Sequence, residues 1–161
     1  RDLVRSRGLG DVYKRQIIDY AHTPAALTSA LKSIQEIIGR ERIITLFGCG
    51  GDRDKNKRKI MGEIANKYSD IVIVTDDNPR NEIPSNIRSE ILSGCPSATE
   101  IPNRDKAIKY AVSLLKKNDL LLIAGKGHET FQAVGIETLP FDDYTVATQA
   151  IKNIEKSGII N

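Results

Sequence analysis

The chain has 161 residues, 40% hydrophobic and 28% charged, the composition of one ordinary globular domain that buries a core without disulfide or metal staples. No apolar run approaches the roughly 20 residues that span a bilayer, and no secretory-type apolar segment is recognisable near the N-terminus. The formal charge of +3 is carried by residues 1–16, which hold five basic and two acidic side chains; the remainder is balanced and leaves no electrostatic footprint for nucleic acid.

Residues 1–16 lack hydrophobic periodicity and read as a non-native or disordered leader, such as a cloning scar, with a native flexible arm as the alternative. A genomic reading frame containing them would decide. Cys49 and Cys95 stand far apart, which suits a reducing compartment and argues against a disulfide framework or zinc site. The cytoplasm is the expected location.

From residue 17 onward, β-rich runs alternate with amphipathic stretches. Residues 17–20 read as a strand end. Pro24 then suits a first helical turn, Leu27, Leu31, Ile34 and Ile38 form one apolar stripe, and Gly39 marks the stop. Residues 42–47 form a buried strand, followed by the glycine-rich loop 48–51 and a helix over about 58–68, with Ile60, Met61, Ile64 and Ala65 inward. Residues 71–75 are the next strand. The polar loop 76–81 leads to a helix over about 85–92, with Ser85 as the expected N-cap. A short strand is expected around 98–101. A helix over 104–117 would turn Ala107, Ile108, Ala111, Leu114 and Leu115 inward, and 120–124 is a third apolar strand. A hairpin-like stretch to Phe141 and a helix over about 143–156 complete the chain. This alternation predicts an α/β fold: a three-layer Rossmann-like domain, with a mostly parallel sheet flanked by helices.

In such sheets ligands bind beyond the carboxyl ends of the strands. Four unusual polar segments fall at those positions. Asp19-Tyr20-Ala21-His22-Thr23-Pro24 places a carboxylate and an imidazole between strand and helix. Taken alone, it is better read as a turn and a cap than as a nucleotide contact. In Gly48-Cys49-Gly50-Gly51-Asp52-Arg53-Asp54-Lys55, glycines admit a ligand to the backbone while Arg53 and Lys55 supply cations. Neither the dinucleotide fingerprint nor the P-loop pattern fits: Arg53 replaces the third glycine, and Gly127 replaces the hydroxyl residue after Lys126. Asp77-Asn78-Pro79-Arg80 offers a stiff loop with a guanidinium suited to a carboxylate, although a simple proline turn is the stronger reading in isolation. In Gly125-Lys126-Gly127-His128-Glu129, Glu129 could accept a ligand ammonium. His22 and His128 are the only histidines, too few for a structural zinc site, and no nucleophilic triad is recognisable.

Together, and in this order, the four segments resemble the C-terminal domain of the Mur ligases, and among them the enzymes that add the third stem-peptide residue. Phe141-Asp142-Asp143 fits as well, and the resemblance covers residues 17–161. One departure is Ala25, where the family usually has an acidic residue. The resemblance implies an ATP-dependent ligase joining meso-diaminopimelate to UDP-N-acetylmuramoyl-L-alanyl-D-glutamate in peptidoglycan synthesis, and so a role in cell shape and division. ATP would convert the dipeptide carboxylate to an acyl phosphate, which the incoming amine attacks. The C-terminal domain would close over a central domain, delivering the amino acid and excluding water.

ATP and Mg2+ would be held mainly by that central domain, which nothing in residues 1–161 resembles, nor is there a match to the UDP-binding domain. The chain is therefore expected to be a substrate-binding fragment, inactive alone, with no confident catalytic residue. Carried over by motif, Arg53, Asp77, Asn78, Pro79, Arg80, Gly125 and Glu129 are the expected amino-acid site. Asp19 and His22 are expected to face the nucleotide. The Asp-Asn-Pro-Arg motif implies diaminopimelate rather than lysine, because Arg80 can pair with the distal carboxylate that lysine lacks. The alternatives are a folylpolyglutamate synthetase-like ligase domain and a non-catalytic α/β module that binds an amino acid or nucleotide.

Overall fold

The three apolar runs become the central strands of a sheet because each is buried on both faces. In this computed structural model, which describes residues 2–5, 15–39 and 41–156, they are β3 (Ile43–Phe47), β4 (Ile71–Val74) and β6 (Leu120–Ala124). β1 (Asp2–Arg5), β2 (Arg15–Asp19) and β5 (Thr99–Glu100) complete a sheet of order β1-β2-β6-β3-β4-β5. All neighbours pair in parallel except β1, which runs antiparallel to β2 with Leu3 opposite Ile17. Residues 2–5 of the suspected leader thus lie at the sheet edge; residues 1 and 6–14 are outside the described ones.

The helices form two layers. α1 (Pro24–Ile38), α2 (Asn56–Tyr68) and α3 (Pro84–Leu92) cover one face, where Leu27, Leu31, Met61 and Ile91 pack with Phe47, Val74 and Leu122. α4 (Arg104–Ser113) and α5 (Asp143–Lys156) cover the other, where Ile108, Ala111, Ala147 and Ile151 meet Ile44, Leu46, Ile73, Leu121 and Ile123. Successive strand residues therefore serve opposite cores, as the two-residue period of a strand requires. β7 (Phe131–Val134) and β8 (Glu137–Pro140) form a separate antiparallel hairpin.

The observed fold matches the expected α/β class, with local corrections. α1 agrees at both ends: Thr23 Oγ1 accepts the Ala26 amide at 3.2 Å, and Gly39 closes the helix at φ +65°. Ser85 is not an N-cap. Ile83 occupies that position and Pro84, preset for helical φ, takes the first turn. Ile60 is 44% exposed, because the inward arc of α2 is taken by Arg58, Met61, Gly62 and Ala65. Gly62 lets α2 meet α3 closely, since a Cβ there would lie 2.3 Å from the Ile91 carbonyl oxygen. α4 stops at Ser113 rather than 117, and Arg42 Nη2 donates to the Leu114 carbonyl at 2.8 Å, satisfying an end that intrahelical bonding abandons.

Candidate functional site

Every parallel strand but the short β5 delivers one of the four polar segments at its carboxyl end. The order reverses at β6, which sits between β2 and β3, so its following loop lies among the others. A cleft of about 440 Å³ opens there, lined among others by His22, Arg53, Asn78, Arg80, Gly125 and Glu129.

The loops after β3 and β4 are laced together. The Gly51 amide donates to the Asn78 carbonyl at 2.9 Å, and only glycine fits, because a Cβ would stand 1.9 Å from the Pro79 carbonyl oxygen. Arg80 adopts φ +50° and its Nη1 donates to the Gly51 carbonyl at 2.8 Å. Beneath them, fully buried Arg58 reaches Glu82 through Nη1 and Nη2 at 2.9 Å each, Glu90 at 2.8 Å and the Gly50 carbonyl at 3.2 Å. Glu82 also accepts the Asp52 amide at 2.7 Å. The Arg58 guanidinium, followed by that amide, holds the Glu82 carboxyl down to about 2.

The hairpin clamps the Asp77-Asn78-Pro79-Arg80 loop from the other side. Gln132 Nε2 donates to the Asp77 carbonyl at 2.5 Å, and the Ala133 amide to Asn78 Oδ1 at 2.9 Å. The Arg80 amide donates to the Ala133 carbonyl at 3.1 Å, and the Gly135 amide to the Arg80 carbonyl at 2.7 Å. Asn78 Nδ2 donates to Glu129 Oε2 at 2.9 Å. Gly125, at φ +111°, lies so near Asp77 that a Cβ would be 2.7 Å from Oδ2. Burial raises the Asp77 carboxyl pKa, while Arg104 and Lys126 oppose the rise.

Arg53, Asp77, Asn78, Arg80, Gly125 and Glu129 therefore share one cleft. Pro79 is buried behind it, its carbonyl against Gly51. His22 also lines the cleft, its Nδ1 2.9 Å from the Tyr20 carbonyl and its ring 4.5 Å from that of Tyr20. Asp19 does not line the cleft; its Oδ1 accepts the Ala21 amide at 3.0 Å, and its carbonyl the Gly125 amide at 3.1 Å.

Sequence reasoning missed three supports. Lys126 is fully buried beneath the cleft. Arg104, also buried, donates to Asp143 at 2.7 and 2.8 Å and to the carbonyls of Ala124 and Asp76 at 3.1 and 3.4 Å, tying the ends of β6 and β4 to α4 and α5. Arg58 is the third. The flanking glycines could have flagged Lys126, but a basic residue in a first helical turn reads as solvated, so Arg58 and Arg104 carried no local signal.

The architecture is that of a three-layer α/β domain with four polar loops gathered at the carboxyl ends of its parallel strands. The family model for the Mur ligase glutamate ligase domain matches residues 9–127, and the chain belongs to that family. Among its relatives, the UDP-N-acetylmuramoyl-L-alanyl-D-glutamate–2,6-diaminopimelate ligase of Rickettsia rickettsii is 54% identical over 138 residues, covering 84% of this chain and 29% of that ligase. The enzyme of the same name from Agrobacterium fabrum is 54% identical over 142 residues, covering 88% and 29%. The chain thus spans less than a third of the length of these relatives. A solved structure of a ligase of that name superposes at TM-score 0.84 and 35% identity, over 94% of this chain and 31% of its own. Folylpolyglutamate synthase of Mycobacterium tuberculosis superposes at TM-score 0.55 and 20% identity, over 69% and 27%, a likeness of fold alone.

Proposed function

We propose that this chain is the amino-acid-binding domain of an ATP-dependent ligase that adds meso-diaminopimelate to UDP-N-acetylmuramoyl-L-alanyl-D-glutamate, and that it does not catalyse the reaction alone. The observation that carries this reading is the convergence of Asn78, Arg80 and Glu129 on one cleft, with Arg80 and Asn78 held by the hairpin and the glycine loop. The Arg80 guanidinium would pair with the distal carboxylate of diaminopimelate, Glu129 would accept an ammonium, and Arg53 would add a second cation at the mouth. Lysine would leave Arg80 without its partner in a closing site, which is costly. The names of the relatives support the same substrate.

His22 would face the nucleotide from the cleft, while Asp19, which does not line it, would act by shaping the loop through its bonds to the Ala21 and Gly125 amides. Among the described residues no group of three or more His, Cys, Asp or Glu side chains is gathered that could hold a metal ion. ATP, Mg2+ and the UDP-linked dipeptide would be handled with further domains, in the cytoplasm. No helix among the described residues is long and apolar enough to cross a membrane.

Calorimetric titration of the chain with meso-diaminopimelate, with L-lysine as control, tests the reading. Heat with diaminopimelate alone is the expected outcome. Equal heat with both would overturn the specificity, and no heat with either would overturn an isolated, competent half-site.

A further inference from the structure

Lys126 has no exposed surface and does not line the cleft. A buried ammonium is tolerated only where it is paired and hydrogen-bonded. Here Nζ donates to Asn78 Oδ1 at 3.0 Å and to Glu129 Oε2 at 3.1 Å, and stands 4.0 Å from Asp77 Oδ1. All three partners belong to the candidate amino-acid site.

The Asn78 amide is the informative group. An asparagine side chain has a donor end and an acceptor end, and its neighbours decide which way it points. Lys126 Nζ and the Ala133 amide both need an acceptor, while the Glu129 carboxylate needs a donor. Only one orientation satisfies all three: Oδ1 toward Lys126 and Ala133, Nδ2 toward Glu129. The reversed amide would set its NH2 against two donors and its oxygen against a carboxylate. Lys126 also stands between the carboxylates of Asp77 and Glu129, so one buried cation offsets their repulsion. A carboxylate offers about four acceptor positions, and both contacts made here fall on Oε2, so capacity remains for an incoming ammonium.

We propose that Lys126 is a positioning residue of the amino-acid subsite: from beneath the cleft, its ammonium sets the orientation of the Asn78 amide and holds the Glu129 carboxylate ready for the ammonium of the bound amino acid. The inference rests on the amino-acid reading of the cleft. Lys126 touches no substrate and acts only through Asn78 and Glu129.

The test uses Lys126→Met, which keeps the length of the side chain and removes the charge. In the 15N-labelled chain, the wild-type Lys126 ammonium gives a slowly exchanging resonance. In Lys126→Met the Asn78 side-chain amide resonances move while the sheet amides stay in place. Affinity for meso-diaminopimelate falls at least tenfold. Added to Asn78→Ala, Lys126→Met costs little more, because the two act as one unit. A folded Lys126→Met chain with an unmoved Asn78 amide and unchanged affinity overturns the proposal. If Lys126→Met does not fold, the wild-type ammonium decides: exchange at the rate of a solvated lysine overturns the proposal, and protected protons in contact with Asn78 uphold it. If the wild type takes up no diaminopimelate, the isolated half-site is not competent, while the ammonium and amide resonances still judge Lys126.

Discussion

Arg80 shows how one side chain inherits its task from its neighbours. Its backbone, at φ +50°, is bonded to Ala133 and Gly135 of the hairpin, and its Nη1 rests on the Gly51 carbonyl. The guanidinium is thus placed by its neighbours, which under the proposed reading would lower the ordering cost of binding. Arg80→Ala is expected to weaken diaminopimelate binding by one to two orders of magnitude, as loss of a bidentate charged contact should, while leaving ATP binding by the complete ligase nearly unchanged. Unaltered selectivity over L-lysine, read by calorimetry, would sink the assignment. Glu82 is the residue to watch in acid. Its pKa is lowered in the fold from 4.5 to about 2. The stability it contributes is therefore fully present above pH 4.5 and is lost as pH falls toward about 2. Thermal unfolding followed from pH 6 to pH 2 should show this loss, and Glu82→Gln should flatten that part of the profile.

At the level of elements, the hairpin β7–β8 serves the loop after β4 rather than the sheet. Four hydrogen bonds join it to Asp77, Asn78 and Arg80, and it pairs with none of the sheet strands. Gln132→Ala is expected to speed hydrogen exchange at the amides of Arg80 and Gly135 about fivefold, since the cost of a lost hydrogen bond is on the order of 1 kcal/mol. The melting temperature should stay within a few degrees; unchanged exchange at both amides would remove the hairpin from this role. A hairpin-like stretch was legible in the sequence, as were the three apolar strands and α1 with its proline start and glycine stop. The hairpin's partner loop was not, because 53 to 55 residues separate the bonded groups and no local pattern encodes such a contact.

Across the whole molecule, two cores on opposite faces of one sheet place the four loops, and buried ion pairs anchor them. Arg104 and Asp143 are both fully buried, so removing one partner leaves an uncompensated charge. Arg104→Met should cost about 3–5 kcal/mol, and the pairing of Arg104→Met with Asp143→Leu should recover much of it. Urea unfolding of the wild type, both single variants and the double variant checks this; an additive double variant would mean that the pair does not act as a unit.

Sequence alone determined the fold class, the order of elements and the four loops that carry polar chemistry, because hydrophobic periodicity and glycine or proline punctuation are local properties of the chain. It also brought Asn78, Arg80 and Glu129 to notice through their motifs. Only the tertiary structure decided which charges are buried. Arg58 and Arg104 read in sequence as solvated cations, yet they and Lys126 are buried. Their burial depends on carboxylates and carbonyls from distant loops, and a cation leaves water only where such partners have already been assembled around it.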